Sequence, residues 1–266
     1  MTLRFETYPA PPALAGAVRE LWLLEDDGEL HAGLPKPYVE LVVSLSGTHY
    51  WRAEPAGQEH RYDTAWLTPL QRAPRYARSI GPRRLIGARL EPWAAYALFG
   101  DLPRGDGEPP PVLNTILGEE ADRLRAALVS AADDDARFLS FASWLSDRPA
   151  LILQHRATIE SDRATSLAKE LGVSERSLRR RFGQEIGMAP KGWLRLKRLD
   201  GVLRELGEQS GGLSLADLAL DHGFSDQAHL TRELGRMTGV TPSVLKRRAA
   251  GTPPHLVSRT GRIVQD

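Results

Sequence analysis

Leu167-Ala168-Lys169-Glu170-Leu171-Gly172-Val173-Ser174 returns 51 residues later as Leu218-Ala219-Leu220-Asp221-His222-Gly223-Phe224-Ser225. Beyond this point the offset is 52. It pairs Leu178 with Leu230, Arg180 with Arg232, Phe182 with Leu234, Gly187 with Gly239 and Pro190 with Pro242, so the second copy has one extra residue just after its glycine. An apolar-periodic segment that turns on glycine and resumes helix, present twice, predicts two helix-turn-helix units. The second helix of such a unit is the element that enters the DNA major groove.

In the first unit Thr165 or Ser166 is expected to cap a short helix, Gly172 to make the turn, and Ser174 to cap a helix over Glu175–Ile186. Leu178, Phe182 and Ile186 recur at four-residue spacing and face inward. Arg176, Arg179 and Arg180 then form one outward patch near the helix N-terminus. Arginine can pair bidentately with guanine, worth about 1–3 kcal/mol of discrimination. In the second unit Ser225 is expected to cap a helix over Asp226–Met237, with Leu230 and Leu234 inward. Gln227, His229, Thr231 and Arg232 are its outward candidates for base or phosphate contact. Between the units, Leu196, Leu199, Leu203 and Leu206 stripe a single helix over Trp193–Leu206. Gln209–Gly212 breaks it, and Ser214-x-x-Asp217 restarts helix as a capping signature.

These residues carry a resemblance. Gly223-Phe224-Ser225-Asp226-Gln227-Ala228-His229-Leu230-Thr231-Arg232 followed by Gly239-Val240-Thr241-Pro242-Ser243 resembles the second-motif signature of AraC/XylS-family transcription regulators. Leu171-Gly172-Val173-Ser174-x-Arg176-x-Leu178-x-Arg180-x-Phe182 with Gly187-Met188-Ala189-Pro190 resembles the first. The resemblance implies seven helices, with two recognition helices in successive major grooves of double-stranded DNA, and RNA polymerase as a partner. Leu230 and Leu234 replace phenylalanines common in the family, apolar for apolar. Arg181, at a position often apolar there, is expected to reach a phosphate.

The first hundred residues read mostly as strands. Tyr38–Leu45 is dense in β-branched residues and is expected to end at Ser46-Gly47, with Thr48–Arg52 returning as its partner. Arg61–Thr68 and Arg83–Leu90 are further strands. Helices are expected over Trp93–Phe99, Asn114–Ala132 and Ala136–Leu145, with loop over Leu102–Pro111. Together the halves predict an α+β chain. Residues 1–148 resemble the β-rich, cupin-like sensor and dimerisation domains of such regulators, with trailing helices; 149–250 would be the all-α double helix-turn-helix domain, and 251–266 a flexible tail. Arg148-Pro149 marks the boundary, because the residue before proline is disfavoured in helix. Leu124, Leu128, Phe138 and Phe141 exceed what a small barrel needs to cover itself and predict a homodimer. Glu40, Trp51, Trp66 and Arg89 are candidates to line a pocket for a small-molecule effector. An N-terminal domain that binds a protein partner and no ligand is the alternative.

Charge supports the division. Residues 1–154 hold 16 Lys+Arg against 21 Asp+Glu, and residues 155–266 hold 19 against 13, so the basic half is the one with the repeat. A basic half is a footprint for a polyanion. The chain has no cysteine, which excludes disulfides, thiolate metal sites and the reactive cysteine of DNA-alkylation repair proteins that carry this kind of domain. His31, His49 and His60 lack a tight ligand spacing, so no metal and no cofactor are expected. There is no Gly-x-Ser-x-Gly and no acid–base constellation, so the chain is not expected to be an enzyme. No signal peptide or membrane span is apparent. The expected place is the cytoplasm, at the nucleoid.

Overall fold

The computed structural model describes residues 3–101, 107–152, 163–208, 214–246 and 255–258. Its N-terminal part is an antiparallel sheet of β1 (Arg4–Pro9), β2 (Val18–Asp26), β3 (His31–Gly33), β4 (Val39–Arg52), β5 (His60–Tyr62), β6 (Ala65–Thr68) and β7 (Arg75–Leu90). Then come α1 (Pro92–Phe99), α2 (Asn114–Leu117), α3 (Glu119–Ser130), α4 (Asp134–Ser146) and α5 (Pro149–Ile152). The helical part holds α6 (Ala164–Glu170), α7 (Glu175–Arg181), α8 (Pro190–Glu208), α9 (Leu215–Asp221), α10 (Gln227–Thr238) and α11 (Pro242–Lys246). A last strand, β8 (Leu256–Ser258), completes the sheet. The class is α+β, as expected.

β7 is the organising strand. Its second half, Arg83–Leu90, lies between β2 and β4, and its first half, Arg75–Ala77, lies between β3 and β4. Strand alternation sends successive side chains to opposite faces. Leu21 and Leu23, Leu41 and Val43, and Ile86, Ala88 and Leu90 pack against the helices. Their neighbours Trp22 and Leu24, Val42, and Leu85 form a separate cluster on the other face, inside the curl of the sheet. Both faces are covered, so Val39–Val43 reads as an apolar run and not as an alternation. Gly87 is needed here: a Cβ would lie 2.3 Å from the Trp22 indole.

Several expected boundaries are corrected. Val39–Arg52 is one strand: Ser46-Gly47 is not a hairpin turn but a pair of register shifts, and both halves of β4 pair with β7. A bulge of this kind bends a strand without ending it. Arg61–Thr68 is two strands parted at Asp63-Thr64. The helix expected over Asn114–Ala132 breaks at Gly118, whose φ of +57° only glycine adopts cheaply. Leu124, Leu128, Phe138 and Phe141 are not spare apolar surface. All four are buried in the core that joins the sheet to the helices, which removes the stated ground for a dimer. The exposed apolar residues there are Val129 and Leu139. α5 packs on α1 and α4.

The tail is corrected where it is described. Residues 256–258 pair with β3, Leu256 opposite Gly33 and Ser258 opposite His31, and His255 is buried. Tail residues 251–254 and 259–266, like the breaker Gln209–Gly212, fall outside the described residues.

Candidate nucleic-acid interface and a cavity in the sheet

Each helix-turn-helix unit is built from the repeat. Gly172 and Gly223 make the turns at φ of +63° and +71°. Leu167, Ala168 and Leu178 in the first unit are buried, as are Leu218, Ala219, Leu230 and Leu234 in the second. Ser174 caps α7 as expected, its Oγ accepting the Ser177 N–H at 3.2 Å. Ser214 caps α9 likewise, accepting from Asp217 N–H. The first short helix takes no side-chain cap: its N-cap position is Arg163, not Thr165 or Ser166.

Ser225 is not the cap of α10. Asp226 is, with Oδ1 accepting the His229 N–H at 2.6 Å. This assigns the extra residue of the second copy. Ser174 and Asp226 are 52 apart, so Ser225 is the insertion, and Arg180 and Arg232 each lie six residues past their cap. The His229 backbone N–H holds the Asp226 carboxyl below its ordinary range. Asp226→Ala is expected to lower the thermal midpoint and fray the start of α10 while Ser225→Ala leaves both nearly unchanged, measured by circular dichroism.

The expected DNA-reading residues divide. Arg176, Arg179, Arg180 and Arg181 are exposed on α7, and Arg179 reaches Glu175 at 3.6 Å. On α10, Gln227 and Arg232 are exposed. Thr231 is half-buried and donates its hydroxyl to the Gln227 carbonyl. The half-buried His229 lies edge-on to Phe224, and its Nδ1 accepts the Ser225 N–H. It therefore braces the turn. Arg181 aligns with Glu233, which binds Arg195 on α8. Beyond Arg181 the first recognition helix loosens into one π-helical turn, Phe182–Ile186, before Gly187 ends it at φ +75°.

The second site lies inside the curled sheet, a cavity of about 140 Å³. Glu40, Trp51, Trp66 and Arg89 all line it, so the four candidates meet in one place. Phe5, Trp22, Val42 and Leu85 add apolar wall, and His255 and Leu256 of the tail close one side. His49 also lines it, with Nε2 2.7 Å from Ser44 Oγ, Nδ1 2.8 Å from Ser79 Oγ and its ring against Trp66.

Burial, reinforced by Arg83, brings the His49 pKa down to about 4. The unfolded value is about 6.5, so the unfolded chain takes up the proton first as pH falls. The stabilisation is complete above about pH 6.5 and is lost as pH falls through 4. It is worth about 3 kcal/mol for this residue. Thermal melts from pH 8 to pH 4 should therefore be flat at first and slope downward below about 6.5, and His49→Gln should flatten part of that slope.

An ionic network runs from this cavity to α8, and sequence reasoning missed most of it. Glu40 is bound by Lys36 and, at 3.1 Å, by Arg89. Arg89 also binds Glu20, which binds Arg204 of α8 at 3.2 Å. Burial alone would raise Glu40; Lys36 and Arg89 hold it near 2 instead. A second branch joins Glu91 to Arg19 at 2.7 Å and Arg19 to Asp200 of α8 at 3.0 Å. Asp200 also binds His255 at 2.7 Å. Tyr38 sits among the cations, its ring 5.0 Å from Arg19 and 5.2 Å from Arg89. These partners are 49 to 184 residues apart where they cross between elements, so no local pattern announces them. The available signal was the intrusion of single charges into apolar runs, Arg89 within Leu85–Leu90 and Asp200 within the leucine stripe.

Two capped helix-turn-helix units joined by one 19-residue helix define a bipartite DNA-binding domain. Residues 167–248 match the family described as a helix-turn-helix domain. The virulence regulon transcriptional activator VirF of Yersinia enterocolitica is 29% identical over 119 residues, 44% of this chain and 43% of VirF. The HTH-type transcriptional regulator ExsA of Pseudomonas aeruginosa is 28% identical over 79 residues, 30% of this chain and 28% of ExsA. The chain thus spans less than half the length of these curated relatives. Among solved structures, ToxT of Vibrio cholerae O395 overlaps 90% of this chain and 95% of its own at 11% identity, with a TM-score of 0.44. A cupin superfamily protein of Desulfitobacterium hafniense overlaps 34% of this chain and 78% of its own at 14% identity, with a TM-score of 0.27.

Proposed function

We propose that the chain is a sequence-specific regulator of transcription whose DNA contacts come from α7 and α10 and whose sheet domain senses a small molecule. The observation that carries the first part is the equivalence of Arg180 and Arg232. They occupy the same place on two helices capped in the same way, and both are exposed. Arg176, Arg179 and Arg181 widen the contact on α7, Gln227 on α10. Ser174 supports it as a helix cap, and Ser225, His229 and Thr231 support it by hydrogen bonds within the second turn and helix. Two such helices in one domain would meet successive major grooves, about 34 Å apart.

The sensing part is supported by the cavity and its ionic path to α8. Occupancy that disturbs Glu40 or Arg89 reaches Glu20 and Arg204 through a chain of ion pairs, and α8 positions both recognition helices. A ligand alters DNA binding only through unequal affinity for the two arrangements of the domains. Self-association through Val129 and Leu139, contact with RNA polymerase, and a cytoplasmic, nucleoid-bound location complete the reading.

Selection of the purified chain against a random duplex library tests the function directly. The expected result is a bipartite motif whose halves lie one helical turn apart, with affinity that falls steeply with salt. Recovery of no enriched sequence from a folded protein would remove the proposal.

A further inference from the structure

We propose that a polar stripe on α8 sets the pose of the second recognition helix, and that Arg195, through Glu233, is a positioning residue for DNA reading by α10. The inference rests on the reading of α10 as a DNA-contacting helix and goes beyond it by naming what aims that helix.

The two helix-turn-helix units are seated differently. The first rests on rings, with Phe182 edge-on to Trp193 at 5.6 Å. The second also buries an apolar underside, Leu230 and Leu234, but it adds polar contacts to α8 at three places. Arg195 Nε donates to the Glu233 carboxylate of α10, a side chain only 18% exposed. Arg198 Nη1 donates to the Gly223 carbonyl at 3.2 Å, and its guanidinium carbon lies 5.4 Å from the centre of the Phe224 ring. His222 Nε2 lies 3.0 Å from the Glu205 carboxylate. The His222 ring rests on Gly201, where a Cβ would lie 2.6 Å from Cε1. That contact accounts for a glycine inside a 19-residue helix, where glycine is otherwise unfavourable. Residues 195, 198, 201 and 205 recur at three- and four-residue spacing, so they form one stripe beside the buried leucines of α8.

Burial of apolar surface is non-directional, so leucines alone do not fix the roll of α10. A charge-assisted hydrogen bond does, because it demands a set distance and angle. Both partners of the Arg195–Glu233 pair are more than half buried, so water and salt screen it only in part. Glu233 is also the chain neighbour of Arg232, which puts a fixed point one residue from the proposed base reader. Such a reader tolerates little misplacement, since a binding constellation must be held to within about 0.5 Å. In the first unit the matching position is Arg181, which is exposed, so this clamp has no counterpart there.

The test compares the full chain with Arg195→Glu, Glu233→Arg and the double variant Arg195→Glu/Glu233→Arg. A selected duplex and its single-base substitutions are titrated at several salt concentrations. The quantity read is the ratio of affinities for the selected and the substituted base pair. Phosphate contacts carry no sequence information, so the altered net charge cancels in that ratio. A well-placed base contact discriminates by about 5- to 150-fold. Each single variant should lower the ratio by at least about threefold in the half of the site that Arg232→Ala or Gln227→Ala relaxes, and leave the other half unchanged. The double variant should restore it to within about twofold, since reversed charges remake the pair. Arg236 also reaches Glu233, at 3.5 Å, but is 71% exposed and can turn aside. Single variants that keep full preference in the α10 half, even with a lowered thermal midpoint, would overturn the inference and leave the DNA-reading proposal standing. A double variant no better than the single ones, or equal losses in both halves, would do the same. So would an Arg195→Gln protein whose salt slope falls by about one with preference unchanged, because Arg195 would then hold phosphate itself. A parent chain that selects no duplex would overturn both readings. If circular dichroism shows that the reversed charges prevent folding, Arg195→Gln and Glu233→Gln decide the matter by the same ratio.

Discussion

Replacing Trp193 with alanine is expected to destabilise the protein by about 3–5 kcal/mol, the usual loss for a buried tryptophan. Trp193 is 1% exposed at the start of α8. It meets Trp93 of α1 edge-on at 5.9 Å and Phe182 of the first recognition unit at 5.6 Å, and its Nε1 donates to the Pro37 carbonyl at 3.0 Å. One side chain therefore holds the sheet domain, the first helix-turn-helix unit and the connecting helix together. Deleting it leaves a cavity between all three and an unpaired carbonyl at Pro37. Against a total stability of about 5–15 kcal/mol, the thermal midpoint should fall by about 10 °C or more. Phe141→Ala, a loss of similar size buried wholly within the N-terminal part, serves as the comparison. It should lower the midpoint without changing DNA affinity below the transition, whereas Trp193→Ala should change both. A Trp193→Ala protein that melts within 2–3 °C of the parent would contradict the packing described.

Arg180→Ala and Arg232→Ala together are expected to weaken binding to a selected site by roughly 30-fold to 10⁴-fold, each contributing about 1–3 kcal/mol if it reads a guanine. The two sit on separate helices without a shared partner, so their losses should add. Each single change should relax base preference at one end of the site alone. If either arginine holds phosphate instead, binding should weaken for every sequence and the salt slope should fall by about one. Base-substitution profiles of the two single variants separate these outcomes. Perturbation of the same base pairs by both would rule out one groove per helix.

The helical half was legible because its information is local. A glycine turn, a capping serine and leucines at four-residue spacing lie within about twenty residues of one another. The errors of detail concern caps. The sequence favours Thr165 or Ser166 where Arg163 holds the N-cap position, and Ser225 where Asp226 does. Several good capping residues lie side by side, and backbone geometry decides between neighbours. The sheet was legible only at its centre. β2 reads Val-Arg-Glu-Leu-Trp-Leu-Leu-Glu-Asp, helix-forming residues on a strand buried on both faces, so neither propensity nor alternation marked it. Glu40, Trp51, Trp66 and Arg89 were found as unusual residues in strands, and the fold brings them to one cavity. Lys36, Glu20, Arg19 and Asp200 were not found, because their roles depend on partners in other elements. The tail was misread for the same reason: a polar, proline-bearing terminus carries no mark of the strand it joins.

The buried apolar side chains of the two halves form one uninterrupted cluster, running from Leu14 through Trp93 and Trp193 to Leu245. Dissection is therefore not neutral. A fragment beginning near residue 150 would contain both helix-turn-helix units, yet it would turn Trp193 and Leu194 toward water and leave Asp200 without Arg19. Its behaviour would describe a resurfaced object and not a component. The same holds for chimaeras: a foreign sensor grafted onto α8 would have to bring counterparts of Trp93, Pro37 and Arg19 with it. In this architecture the unit of inheritance is the pair of domains with the seam between them.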